Sequence, residues 1–320
     1  MGVNSTNYNY RRLIKNSPYS SVNHVSSSGT SYLKSIALLS DDSIIVGGGG
    51  SLYRLSTTYS VTWSLSIGQA YAITTDSSDN ILVVDGSSAA NSVARKVSSG
   101  GTTTWSFTHS NWTTDIDVDS SDNVYFSGYR VTGTGTCSVR KLNSAGTEQW
   151  TYDQGENTTA IRTDNTYVYI ASSTLKKLNV ADGSQVWSVS IGWTAYAIDY
   201  DNNGNIYVCS NGGNGVKKYN SSGVLVWSYA GDGGQIWSIF TDKSTGDSYI
   251  GARSKIASYG YKTLYKLSTN GQLIWSVQRG DNNTLDYAEE DLIYKSPYLY
   301  TVGTYIPTGT YPNVINKYVL

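Results

Sequence analysis

Residues 177–187 read Lys177-Leu178-Asn179-Val180-Ala181-Asp182-Gly183-Ser184-Gln185-Val186-Trp187. A basic residue, an aliphatic one and Asn lead into a short polar stretch, and a Trp follows four residues after its Gly. This is the chemistry of one hairpin, two strand-forming flanks around a turn whose Gly tolerates a positive φ. The basic-apolar mark recurs at Arg54-Leu55-Ser56, Lys96-Val97-Ser98, Lys141-Leu142-Asn143, Lys218-Tyr219-Asn220, Lys266-Leu267-Ser268 and Lys317-Tyr318-Val319. The Gly/Trp pair recurs at Gly101/Trp105, Gly146/Trp150, Gly223/Trp227 and Gly271/Trp275; the first copy keeps Trp63 but carries Tyr59 in the Gly place. Between Arg54 and Lys317 the copies are spaced by about 44 residues, the length of a four-stranded propeller blade.

A third mark opens each unit. Ala72-Ile73 precedes Ile81-Leu82-Val83-Val84, Ala160-Ile161 precedes Tyr167-Val168-Tyr169-Ile170, and Ala197-Ile198 precedes Ile206-Tyr207-Val208. The turns between them, such as Asp76-Ser77-Ser78-Asp79-Asn80, are Asx-rich hairpin chemistry. No segment shows a helical period. The chain therefore reads as all-β, a seven-bladed β-propeller of four-stranded antiparallel blades. Residues 1–30 form an N-terminal segment and 31–320 the propeller. The seventh unit stops after its Lys317 strand and lacks an outer strand, and an open edge invites aggregation. The N-terminal segment is expected to supply that strand and close the ring, with Tyr8–Ile14 as the candidate and Tyr10 in the Trp place.

The repeat resembles the pyrroloquinoline-quinone-type propeller repeat, most visibly over 178–187. That resemblance implies that each blade's Trp docks on its neighbour, and it spans catalytic and non-catalytic proteins alike. The quinone dehydrogenases of this type have eight blades and a neighbouring cysteine pair, whereas this chain counts seven units and its Cys137 and Cys209 are far apart. No cofactor is expected.

Composition bounds the function. The 320 residues hold 28 Tyr, 9 Trp and 4 Pro, only 15% are charged, and the net charge is −1. No basic face points to nucleic acid, and no run reaches the roughly 18 apolar residues of a membrane span. Arg11, Arg12 and Lys15 are followed by no apolar stretch, so no export signal is expected. Abundant Tyr, Ser, Thr, Asn and Gly with few charges is similar to bacteriophage tail and fibre proteins. The expectation is thus a non-enzymatic virion component, made in the host cytoplasm and released by lysis. Its partners would be other virion proteins or a host-surface glycan or protein. The alternatives are a cellular lectin-like or scaffolding propeller, cytoplasmic or extracellular, and below it a channel-lined hydrolase.

Six Trp belong to the repeat, whereas Trp112, Trp193 and Trp237 do not. Trp112 and Trp193 fall in loops from one blade's outer strand to the next blade's inner strand, at one rim of the channel. Trp237 lies at the same end, and Tyr71 and Tyr196 occupy its matching position. Long insertions at that rim carry Tyr129, Tyr259, Tyr261, Tyr305 and Tyr311. Such rings stack on sugars or anchor a protein partner. Asp115 and Asp291 align with small residues of the other blades and, with Glu290, form an acidic group expected in the channel. Strand alternation puts Glu289 and Asp291 on one face and Glu290 on the other. No metal-ligand spacing is present, and no Gly-x-Ser-x-Gly or His-Glu-x-x-His pattern accompanies the two histidines, His24 and His109.

Overall fold

In the computed structural model of the chain, which describes residues 19–24, 33–86, 92–109, 112–129, 138–210, 215–231, 235–254, 262–278, 286–306 and 313–320, the repeat units become blades. The first blade runs Leu33–Leu38, Ile44–Gly48, Ser51–Leu55 and Val61–Ser66 from the channel outward, each strand antiparallel to its neighbour. Its second strand is buried along its whole length, as are Ile81–Gly86, Val124–Gly128 and Ile206–Ser210. These strands are covered on both faces by adjacent blades, which is why runs such as Ile81-Leu82-Val83-Val84 are continuously apolar rather than alternating. Five further blades occupy 69–109, 113–152, 160–190, 195–229 and 235–278. The seventh comprises Asp286–Lys295, Tyr298–Ile306 and Asn313–Val319. Neighbouring inner strands touch all the way round, the first with the seventh included. Among the described residues no helix is long and apolar enough to cross a membrane.

The core is divided among the clefts between blades. Ala37, Ile45 and Leu52 of the first blade meet Ala70, Ile73, Ile81 and Val83 of the second. Leu33, Ile36 and Val46 meet Tyr300, Val302 and Ile315 across the seam. Burying such side chains stabilises by roughly 1.5–3 kcal/mol each, so most of the folding free energy lies between blades.

The repeat marks work across these clefts. Trp63 Nε1 donates to the Ser99 carbonyl at 2.9 Å, Trp150 to Val180 at 3.0 Å and Trp227 to Thr269 at 2.9 Å, each in the next blade's turn. The basic residue paired with each Trp donates to the same oxygen: Arg54 Nη1 at 2.8 Å, Lys141 Nζ at 2.9 Å and Lys218 Nζ at 3.1 Å. The Trp ring lies flat on the following turn's Gly. A Cβ added at Gly146 would stand 2.8 Å from Trp105, and one at Gly271 2.7 Å from Trp227. The Gly of one blade thus serves the Trp of the blade before it, and it also adopts a left-handed φ.

The N-terminal segment does close the ring, though with a different strand from the one expected. Tyr19–His24 pairs with Asn313–Val319, and Tyr8–Ile14 lies outside the described residues. In six blades the basic residue faces the Trp, as in Arg54↔Trp63 and Lys266↔Trp275. In the seventh, Lys317 faces Ser20. The closing strand therefore brings no Trp opposite Lys317. Tyr59 stands in the turn between Ser51–Leu55 and Val61–Ser66, keeping the left-handed backbone (φ 65°) and packing against the seam cluster. Burial raises its phenol pKa while Lys317 of the seventh blade pulls the other way. Tyr59 thus brings an aromatic ring to the seam from the turn side.

Candidate functional site

Six of the seven inner strands carry a β-bulge near their start. The extra residues are Lys34, Tyr71, Thr114, Tyr196, Trp237 and Glu290, each lying between two paired neighbours. Thr159 holds the equivalent place just before the fourth inner strand. A bulge turns two successive side chains toward one side, so the extra residue and its successor both face the channel. This overturns the simple alternation expected at Glu290. The bulge brings Glu290 into the channel with Asp291, whereas the side chain of Glu289 lies outside the described residues.

One bulge-position residue from each blade therefore rings the mouth. Below it the channel encloses about 330 Å³, and above it a bowl of about 690 Å³ opens at the rim where the outer-to-inner loops meet. Trp112 and Tyr129 extend the bowl wall. The Trp112 carbonyl accepts the Tyr129 amide at 2.7 Å, and a Cβ on Gly128 would lie 2.5 Å from that oxygen, so Gly is required there. The two rings stack at 6.5 Å, and Trp112 meets Tyr71 at 5.6 Å. Lys34 Nζ lies 5.4 Å from the centre of the Tyr71 ring. Across the bowl Tyr196 and Trp237 meet edge to face at 5.1 Å. The buried Nε1 of Trp237 has no hydrogen-bond partner among the described residues. Glu156 joins the wall, held by Gln154, Ser173 and Thr174. Burial raises its pKa, but those hydrogen bonds outweigh it and hold the carboxyl below its usual value.

Of the aromatics singled out in the sequence, Tyr71, Trp112, Tyr129, Tyr196 and Trp237 line the bowl. Trp193 does not. It packs against the cluster between the fourth and fifth blades, with Lys217 Nζ 5.0 Å from its ring. Tyr305 sits opposite Tyr287 in its strand, and Tyr259, Tyr261 and Tyr311 lie outside the described residues.

The channel carboxylates tie blades together. Asp115 accepts the Ile161 amide at 3.0 Å and Arg162 Nη1 at 2.8 Å from the next blade. Asp291 accepts Ser35 Oγ at 2.9 Å and the Ile36 amide at 3.0 Å, and its own Leu292 amide at 2.8 Å. A second layer, two residues further along the same face, went unnoticed in the sequence. Asp117 accepts the Thr163 amide at 2.8 Å, and Asp199 accepts the Thr241 amide at 2.6 Å while pairing with Lys243. Extending the aligned Asp115 column by two positions finds Asp117, Arg162 and Asp199. Burial pushes Asp117 up to about 6 against the pull of Arg162, and burial likewise lifts Asp291 to about 6 against its hydrogen bonds. No group of metal-ligating side chains is found among the described residues.

His109 and Cys209 lie away from this channel. His109 is buried between Phe107 and Phe126, and desolvation lowers its pKa to about 4. Cys209 is buried, and desolvation pushes its thiol up to about 12.

No protein-family model and no curated protein matches the sequence. Solved structures do match its shape. The C-terminal WD40 domain of Sif2 superposes with a TM-score of 0.66 at 12% identity, covering 92% of this chain and 84% of that one. The computationally designed Ika8 protein gives 0.62 at 13% identity, covering 94% and 98%. A protein of unknown function from Bacteroides caccae gives 0.50 at 12% identity, covering 79% and 83%. The likeness is one of fold. It supports the seven-bladed ring, while the resemblance to quinone-type repeats finds no family match beside it.

Proposed function

We propose that this propeller is a non-enzymatic binding module that meets its partner through the bowl at the channel mouth. One observation carries the reading: five of the bowl's residues are aromatic, and three of them stand on bulges that aim them inward from separate blades. Rigid rings on a rigid scaffold lose little conformational entropy on binding and offer flat apolar area with a polar tip. The channel carboxylates spend oxygens on blade-to-blade hydrogen bonds, and His109 and Cys209 are buried elsewhere, which favours binding over catalysis.

A place in a phage virion, contacting the host surface or another virion protein, is supported by composition alone. Tail and lysis genes beside this one would support it, and metabolic neighbours would favour the cellular lectin-like or scaffolding alternative. The binding reading is tested with Tyr71→Ala/Trp112→Ala/Trp237→Ala, compared with the unaltered protein on a glycan array and on whole bacterial cells. The variant is expected to lose attachment while its melting temperature stays within a few degrees. Attachment that persists in the triple variant refutes the bowl as the contact site.

A further inference from the structure

The described side chains lining bowl and channel carry an unbalanced charge. Asp115 is paired with Arg162 and Asp199 with Lys243. Asp291 has no such partner among the described residues; its three hydrogen bonds come from the neutral Ser35 hydroxyl and the Ile36 and Leu292 amides. A carboxylate enclosed in this way is stabilised by any cation that reaches it.

A second observation points to the same sector. Ser238 holds on the sixth blade the position that Asp291 holds on the seventh and Ser35 on the first, each directly after its bulge. Ser35 uses its hydroxyl fully, donating to Asp291 and accepting the Ile73 amide of the next blade at 3.0 Å. Ser238 is 5% exposed, faces the channel, and its Oγ has no partner among the described residues. The amide it would have taken, that of Leu292, is already bonded to Asp291. The result is a hydroxyl without a partner in the same cavity as a carboxylate without a charge partner, both among the described residues. Tyr196 and Trp237 line the same cavity, and aromatic faces attract cations. The protein already builds one such site for itself: Lys243 Nζ pairs with Asp199, donates to the Tyr200 carbonyl at 2.8 Å and lies 3.6 Å from the centre of the Tyr200 ring.

We propose that the channel sector formed by the fifth, sixth, seventh and first blades receives a primary ammonium group on an alkyl stem, held by Asp291 and Ser238 with Tyr196 and Trp237 lining the same cavity. This rests on the bowl being the contact site and names the chemistry it takes: an ammonium has three donors and no acceptor, which suits the Asp291 carboxylate and the lone pairs of the Ser238 hydroxyl.

The test is calorimetric titration of the full chain at pH 7.5 with Nα-acetyl-lysine methylamide and, separately, with Nα-acetyl-norleucine methylamide, which keeps the stem and lacks the charge. The lysine derivative is expected to bind at least about tenfold more tightly than the norleucine one. Asp291→Asn should weaken it about tenfold or more, and Ser238→Ala, which removes only a hydroxyl, several-fold. Thermal melting confirms that both variants fold, and the serine variant keeps the test informative if the aspartate one does not. Equal binding of the two derivatives, no binding of either, or unchanged binding in Ser238→Ala and Asp291→Asn overturns the proposal. If amine binding fails while the aromatic triple variant still loses surface attachment, this inference falls and the bowl reading survives. If the amine binds and the triple variant still attaches, the bowl reading falls instead.

Discussion

Gly183 and Gly192 both sit in the left-handed region, with φ of 73° and 85°, yet their surroundings differ. A Cβ at Gly183 would lie 2.9 Å from Trp150 Cε3, and one at Gly192 would meet nothing within 4 Å. Alanine at each position therefore separates a backbone cost from a packing cost. The left-handed conformation costs an L-residue roughly 1–2 kcal/mol, and Gly192→Ala should lose that much and no more. At Gly183 the new methyl also displaces a ring whose normal carbon contact is about 3.5–4.0 Å, so the indole must move by about 0.6 Å or more. That shift strains its 3.0 Å bond to the Val180 carbonyl, and overpacking of this kind adds about 1–3 kcal/mol. Gly183→Ala is thus expected to cost about 2–5 kcal/mol in all. Urea unfolding followed by Trp fluorescence reads both variants, and Trp150→Ala supplies the background on which the excess should vanish. Equal losses at the two glycines, or an excess that persists without Trp150, would refute the idea that the repeat Gly exists to receive its neighbour's ring.

Two more expectations follow from the seam and the channel. Deleting residues 1–25 removes the seventh blade's outer strand, Tyr19–His24, and should cost several kcal/mol more than deleting 1–16, which spares it; melting curves of the two truncations, if alike, would place closure elsewhere. Asp117 and Asp291 should titrate near 6 in a carbon-detected NMR series. Because both pKa values are raised above the unfolded 3.8, the folded state holds protons that the unfolded state has released, so these groups lose stability as pH rises from about 4 to 6. Asp117→Asn should flatten that part of the stability profile, and an unchanged profile would contradict the assignment.

Much of the fold was legible because the blade marks recur in register: the Lys177/Trp187 pair and the Gly183 turn are read as well in one copy as in six. What those residues touch was not legible, since the Gly183–Trp150 contact joins two units that the repeat treats as separate. The closing strand was misplaced because Tyr8–Ile14 has the stronger strand propensity, while Tyr-Ser-Ser-Val-Asn-His at 19–24 pairs through its position opposite Lys317. The bowl was found through the column shared by Tyr71, Tyr196 and Trp237. Lys34, Thr114 and Thr159 in that same column were passed over because they are not aromatic. A bulge leaves no periodic trace, so strand alternation set Glu290 on the face opposite Asp291 although the acidic group placed both in the channel.

The seam also sets an order of events during synthesis. Tyr19–His24 leaves the ribosome well before its partner Asn313–Val319, with six blades made in between. At about 5–20 residues per second the interval is on the order of 15–60 s. Through that time the early segment has no strand to pair with, and its short, hydroxyl- and amide-rich sequence is suited to remaining solvated meanwhile. A chain broken off before Asn313 would keep six complete blades yet never release its first strand from waiting, leaving an open edge by which cellular proteases and chaperones can tell an unfinished ring from a finished one.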